Sequence, residues 1–258
     1  MRVAITRGVS ARIGACELTH LERQVIDIER ARAQHHAYEE ALEQLGCRVE
    51  SLPALDDLPD SVFVEDVAVV LDEIAVVTRP GAPSRRPEAA AIAPVLAAHR
   101  SIMLIQAPGT LDGGDVLRLG RQLFVGLSGR SSSSGIGQLR DIAGPRGYTI
   151  TPVPVRGCLH LKSAVTEVAP GVVLVNPEWV DPGVFGDAAV IEVDPSEPGA
   201  ANGLLIGSRL VYPASFPKTR RRLENAGISI VSVDVSELQK AEGAVTCCSL
   251  ILSADQPR

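Results

Sequence analysis

Aliphatic residues in this chain come in short bursts, each introduced by polar or ionisable residues. Five bursts share that layout: Val64-Glu-Asp-Val-Ala-Val-Val70, Gly113-Gly-Asp-Val-Leu-Arg-Leu119, Leu159-His-Leu-Lys-Ser-Ala-Val165, Ala200-Ala-Asn-Gly-Leu-Leu-Ile206 and Val245-Thr-Cys-Cys-Ser-Leu-Ile-Leu252. Their first residues lie 49, 46, 41 and 45 positions apart, and a near-constant period in this range marks repeated supersecondary units. A second strand is predicted inside four of them, at residues 74–78, 123–127, 172–175 and 210–212.

The fifth unit runs out of chain before a second strand, and the N-terminus offers a substitute. Val3-Ala-Ile-Thr-Arg-Gly8 reads like Val76-Val-Thr-Arg-Pro-Gly81, so the first strand is expected to complete the fifth unit and close a ring. Helical periodicity fills the gaps. The clearest case covers about residues 27–45, with Ala31, Gln34/His35, Tyr38, Ala41/Leu42 and Leu45 on one face and Gly46 as the stop. Others fit 88–99, 135–143 and 218–226. The prediction is an α/β fold: a five-fold α/β propeller of repeated strand–helix–strand units, in one domain over 1–258, since no stretch reads as a linker.

In such a ring the starts of the strands converge on the axis. Glu65, Asp66, Asp112, Asp115, His160, Asn202 and the pair Cys247/Cys248 would then meet at one channel. Carboxylates hold a cation, an imidazole moves protons and a thiolate attacks carbon. Each residue also has an ordinary explanation. Free cysteines are mostly small core hydrophobes, Asp112 in Thr110-Leu-Asp-Gly-Gly-Asp115 fits turn chemistry, and His160 could be a satisfied core histidine. Their joint occurrence at the repeat starts favours chemistry. Strand alternation says only that the two cysteines face opposite ways, and does not choose between them. Two arginine-bearing loops, Arg79-Pro-Gly-Ala-Pro-Ser-Arg-Arg86 and Gly126-Leu-Ser-Gly-Arg130, could clamp a carboxylate bidentately or simply be solvated.

Composition narrows the partners. With 45% hydrophobic and 22% charged residues and a net charge of −6, the 258-residue chain has a globular make-up without the basic excess that nucleic acid or an anionic membrane surface requires. No apolar run approaches a membrane span, and no signal peptide is visible. Five cysteines, two of them adjacent and without CxxC spacing, fit reduced thiols in the cytoplasm better than disulfides or structural zinc.

These residues together resemble the dimethylarginine dimethylaminohydrolases of the guanidino-modifying (pentein) superfamily. The matching stretches are Leu58-Pro-Asp-Ser-Val-Phe-Val-Glu-Asp-Val-Ala-Val-Val70, Thr78-Arg-Pro-Gly-Ala-Pro-Ser-Arg-Arg86, Thr110-Leu-Asp-Gly-Gly-Asp-Val116, Phe124-Val-Gly-Leu-Ser128, Leu159-His-Leu-Lys-Ser163, Ala200-Ala-Asn202 and Thr246-Cys-Cys-Ser249, spanning nearly the whole chain in order. The resemblance implies hydrolysis of an Nω-methylated arginine to citrulline and a methylamine, without cofactor or catalytic metal. It implies Cys247 as nucleophile with Cys248 as packing, His160 as proton shuttle and Asp112 orienting the imidazole. Asp66, with Glu65, would hold the guanidinium, and Phe63 would pack beside it. Arg85 and Arg130 would bind the α-carboxylate, and Asp60 with the backbone around Leu18 and Ala241 would receive the α-amine. The partner implied is a small guanidino amino acid, handled by a monomer or homodimer. The segment 11–17 departs most from the family pattern, in a region that forms the flap over the substrate, and Ala241 is smaller than usual; both bear on substrate preference.

Three other functions compete. The same chemistry could act on arginine, agmatine or another guanidine, although Arg85 and Arg130 disfavour agmatine, which has no carboxylate. A non-catalytic propeller binding module would carry no thiol, imidazole and acid focus. A papain-like thiol protease would place its cysteine near the other end of the chain.

Overall fold

Fifteen strands repeat one plan five times in the computed structural model, which describes residues 1–253; the stretch 254–258 of the expected domain lies outside the described residues. In each three-stranded sheet a short first strand pairs antiparallel with a middle strand, and the middle strand pairs parallel with a third. A parallel partner needs a crossover, which explains a helical connection between middle and third strands. The second sheet contains β3 (Ala68–Val70), β4 (Ile74–Val77) and β5 (Ser101–Leu104), with α2 (Arg86–Ala97) crossing between β4 and β5. The third contains β6 (Val116–Leu119), β7 (Gln122–Leu127), α3 (Ser133–Ala143) and β8 (Thr149–Pro154). The fourth follows a one-turn helix, α4 (Leu161–Ala164), with β9 (Val165–Ala169), β10 (Val172–Val175) and β11 (Ala189–Glu192). The fifth contains β12 (Leu204–Ile206), β13 (Arg209–Pro213), α5 (Pro217–Asn225) and β14 (Ser229–Val233), followed by the short α6 (Ser236–Gln239).

The remaining sheet closes the ring. β1 (Arg2–Arg7) lies between β2 (Cys47–Leu52), reached through α1 (Ile28–Gln44), and β15 (Leu250–Ser253) at the other end of the chain, with Val3 opposite Leu252. The N-terminal strand therefore holds the middle place that the strand repeat assigned to it. All five sheets bury an aliphatic face against a neighbour. One such layer joins Val3 and Ile5 to Val64, Ala75, Val77, Ile92, Leu96 and Leu250. Each Val, Ile or Leu side chain withdrawn from water there stabilises the layer by about 1.5–3 kcal/mol.

Two expectations are corrected. The unit that starts at Leu159 has no α-helix between its parallel strands; the connection is a 3-10 turn, Pro182–Phe185, because Pro177, Pro182 and Gly183 deny a regular helix its backbone. The strands also begin later than expected. Glu65 and Asp66 sit on the 3-10 turn Val64–Val67, Asp115 on Gly113–Asp115, and Cys247 and Cys248 in the turn before β15. Polar residues at those positions avoid the ladder and place their side chains on the axis.

α1 ties the outside of the ring to that axis. Asp27 caps it by accepting Arg30 N–H at 3.0 Å, and Gly46 ends it at φ +83°. Its inward face is Ala31, Gln34, His35, Tyr38, Ala41 and Leu42. The buried Tyr38 hydroxyl donates to Val245 C=O at 2.8 Å and lies 2.7 Å from Ser249 Oγ, bracketing the cysteine turn. No helix among the described residues is long and apolar enough to cross a membrane.

Candidate active site

Cys247, His160, Asp60, Phe63, Asp66, Arg85, Arg130 and Ala241 line one small, tightly closed pocket, with Glu17, Leu159, Glu242 and Gly243. Three expected site residues stand just outside this lining. Asp112 lies behind His160, Glu65 is hydrogen-bonded to the cysteine turn, and Leu18 follows Glu17 in the loop between the 3-10 turn Ile13–Ala15 and α1.

His160 immediately precedes α4 and its ring bridges two acids. Nε2 is 3.0 Å from Asp112 Oδ2 and Nδ1 is 3.7 Å from Asp66 Oδ1. Asp112 is fully buried and anchored at its other oxygen by Gly81 N–H at 2.8 Å. Gly114 makes this approach possible: a Cβ there would stand 2.6 Å from Asp66 Oδ1 and 2.7 Å from His160 Nδ1. Burial opposes charge on the imidazole, but Asp66, the hydrogen bond to Asp112, and Asp115 outweigh it and raise His160 to about 9. Asp66 is held below the usual carboxylate range; its burial is outweighed by His160 and by the Arg85 guanidinium.

This shift carries a stability prediction. The pKa of His160 in the fold, about 9, lies above the ordinary histidine value of 6.5, so protonation stabilises the fold fully below pH 6.5 and that contribution is lost as pH rises through 9. The stability difference between wild type and His160→Asn, read as urea midpoints, is expected to be larger at pH 6 than at pH 10. An equal difference at both would refute the linkage.

Cys247 is half-buried and Cys248 fully buried. Thr246 holds the turn: its N–H donates to Asn202 Oδ1 at 3.1 Å, and its hydroxyl donates to Glu65 Oε2 at 2.7 Å while accepting from Asn202 Nδ2 at 2.9 Å. Glu65 N–H in turn donates to Cys247 C=O at 3.1 Å. Glu65 also pairs with Lys162, yet burial leaves its carboxyl above the usual range. Burial, then the charges of Glu65 and Asp66, push the Cys247 thiol up to about 12. A sulfur in that field stays protonated at neutral pH until a cation arrives beside it. Cys248 donates to Ala244 C=O at 3.4 Å and belongs to the core layer with Tyr38 and Leu42.

The two arginines differ. Arg85 is buried and committed: Nη1 donates to Asp66 at 2.5 Å, Nε and Nη2 grip Glu88 at 3.2 and 2.8 Å, and Nη2 also reaches the Asp60 and Phe63 carbonyls. Arg130 Nη1 is buried without a hydrogen-bond partner, 3.8 Å from Asp112 Oδ2, while Nη2 donates to Thr19 Oγ1 at 3.3 Å. Asp60 accepts Glu17 N–H on both oxygens, at 3.2 and 3.1 Å, so it already holds the loop that carries Leu18. Asp66, Asp112 and His160 offer ligand atoms within 4.8 Å of one another, a set of the right type for a divalent cation.

Sequence reasoning missed Glu88, Lys162 and Glu242 as parts of this centre. The Arg85/Glu88 spacing of three at a helix start was a usable signal. Lys162 and Glu242 find their partners only through the fold.

The chain is 43% identical over 251 residues to an N(G),N(G)-dimethylarginine dimethylaminohydrolase of Streptomyces coelicolor, covering 96% of each chain. It is 34% identical to the enzyme of that name from Pseudomonas aeruginosa, covering 87% of this chain and 89% of the relative. Among solved structures it is similar to a cysteine-to-serine mutant of DDAH from Pseudomonas aeruginosa complexed with citrulline, with TM-score 0.93, 32% identity and coverage of 96% and 98%. No family model matches the chain.

Proposed function

The chain belongs to the dimethylarginine dimethylaminohydrolase family, amidine hydrolases of Nω-methylated arginine, and we propose that it forms citrulline and a methylamine through attack by Cys247. One observation carries this assignment of roles: a single cavity holds a thiol, an acid-braced imidazole and an arginine nitrogen that makes no hydrogen bond.

The guanidinium of the substrate enters beside Asp66, with Glu65 beneath and Phe63 along its face. Its positive charge offsets the field of the two acids on the sulfur, so the thiol gives its proton to solvent as the substrate binds. The thiolate adds to the guanidinium carbon. His160, charged near neutral pH, donates its proton to the departing methylamine as the carbon–nitrogen bond breaks, leaving a thiouronium on Cys247. The now neutral imidazole takes a proton from water, hydroxide adds to the same carbon, and the carbon–sulfur bond breaks to release citrulline. Asp112 keeps the ring aimed throughout. The sum is guanidine plus water giving urea and amine, so the chemistry balances without a redox or group-transfer cofactor.

Arg130 is the carboxylate anchor in this scheme because its Nη1 is free to donate. Arg85 secures Asp66 and reaches the substrate only by releasing Asp66 or Glu88. Asp60 and the backbone at Leu18 and Ala241 then receive the α-amine. One chain supplies every group, so a monomer is competent and a homodimer would duplicate the site. Residues 1–258 act as one catalytic domain, and five unbridged thiols suit a cytoplasmic setting.

The test is incubation with asymmetric dimethylarginine, monomethylarginine, arginine and agmatine, quantifying ureido product and released amine. Citrulline from the methylated arginines is expected, and no ureido product from any of the four would refute the assignment. Arg130→Ala is expected to raise KM for methylarginine by roughly a hundredfold, as loss of a charge-assisted pair would. Any activity on agmatine should be unaffected by that change. Equal losses on both substrates would remove Arg130 from the carboxylate.

A further inference from the structure

The flap and the nucleophile turn are joined through one acidic side chain that no step above uses. Glu242 sits between Ala241 and Gly243, both in the cavity wall, and five residues before Cys247. Its backbone is left-handed, with φ +58°, the only non-glycine residue so placed among those described. A side chain with a Cβ rarely holds that conformation unless its surroundings impose it. Its carboxylate accepts the backbone N–H groups of three consecutive flap residues: Thr19 at 3.0 and 3.1 Å, His20 at 2.5 Å and Leu21 at 2.6 Å. Successive N–H groups turned toward one anion form a concave anion site built from flap backbone.

Two further contacts make this more than a surface bond. Asp60 grips the same flap two residues earlier, at Glu17 N–H, so Leu18 is held between two carboxylates. Thr19, whose N–H goes to Glu242, also takes Arg130 Nη2 on its hydroxyl. Closing the flap therefore positions Arg130 as well. On the other side, Gly243 packs so tightly on the Phe63 ring that a Cβ would overlap it. The left-handed turn at 242 thus joins the flap latch to the wall of the guanidinium pocket.

We infer that Glu242 is a positioning residue that latches the flap shut through its backbone amides and in the same contact sets Arg130 for the substrate carboxylate. Its carboxylate is hydrogen-bonded to backbone amides of the flap and not to the Cys247 thiol. The inference rests on the hydrolase reading for its kinetic consequences, while its structural consequence is independent of activity.

Glu242→Gly separates the latch from the backbone, because glycine adopts positive φ without strain and the fold should be no less stable. Hydrogen exchange at the Thr19–Leu21 amides is expected to speed up by tenfold or more. Iodoacetamide modification of Cys247, located by peptide mass analysis, should accelerate similarly. KM for asymmetric dimethylarginine is expected to rise about tenfold with kcat within threefold, and Glu242→Gln should fall between the variant and wild type. Unchanged exchange at the three amides in the glycine variant would overturn the latch, whatever the activity. Faster exchange with an unchanged KM would overturn its role in positioning Arg130. If wild type shows no turnover, the exchange and alkylation results still decide the latch.

Discussion

Cys247→Ser is expected to lower citrulline formation by roughly 10⁴–10⁶-fold, the scale seen when a covalent nucleophile is removed, while Cys248→Ser keeps most of its turnover. The adjacent thiols separate because their surroundings differ. Cys247 lines the cavity beside His160 and Asp66. Cys248 points into the layer under α1, where its sulfur donates to Ala244 C=O. A serine at 248 can keep that hydrogen bond but buries a more polar atom, costing about 1–3 kcal/mol. Its signature should be a lower melting midpoint with near-normal kcat. Citrulline assays at saturating substrate and thermal melts on both variants decide the matter, and the opposite pattern would move the nucleophile by one residue.

His160→Asn is expected to reduce kcat by about 10²–10⁴-fold, the usual share of a positioned general acid and base. The pH profile separates this from a packing defect. Burial works against the imidazolium, but Asp66, Asp112 and Asp115 raise His160 to about 9. The group is therefore charged and able to protonate the leaving amine across neutral pH, and kcat of wild type should fall as pH rises through 9. The asparagine variant should lack that alkaline fall over the same range. A variant that kept kcat within fivefold, or kept the wild-type alkaline limb, would remove His160 from the proton path.

The unequal arginines bear on specificity. Two arginine-bearing loops suggested two equivalent clamps for a carboxylate. In the fold, Glu88 lies one helical turn beyond Arg85 and takes two of its nitrogens, while Asp66 takes a third. Burial raises Glu88 to about 7 despite that pairing. A buried guanidinium between two carboxylates is costly to separate, since either partner would be left unpaired. Arg130 has the free donor, so substrate recognition at the carboxylate end should weaken far more in Arg130→Ala than the symmetry of the two loops would suggest.

Much of the fold was legible because it is periodic. A strand that must face a crowded axis starts with polar residues and continues aliphatic, and five such starts about 45 residues apart outline the ring. The match between Val3–Gly8 and Val76–Gly81 exposed the closure, since both are middle strands of their sheets. The fourth crossover was less legible: prolines exclude a helix but do not specify what replaces it. Glu65, Asp66, Asp112, His160 and the cysteine pair could be named because each lies at or beside a repeat start, where convergence follows from the topology; only the family resemblance picked Cys247 over Cys248. Glu88 lies outside those starts and is marked only by its spacing of three from Arg85, Lys162 lies within a start but gains its role only by meeting Glu65 97 residues away, and nothing in the local sequence marks Glu242.

By itself, the sequence determined the five-unit ring, its closure by the first strand and the residue types gathered at its axis, because alternation and spacing are local properties of the chain. Tertiary structure decided which of those residues remain available to a ligand. Lys162 meets Glu65 across 97 residues and Glu242 meets Thr19 across 223. Such contacts depend on how five sheets are tilted and packed, and they commit Arg85 to neighbouring acids while leaving Arg130 with a nitrogen to spare. They also place the two cysteines in different surroundings, one beside an imidazole and the other beneath a tyrosine. Side-chain order along the chain names the participants; only packing in three dimensions sets their charge, their partners and their freedom to react.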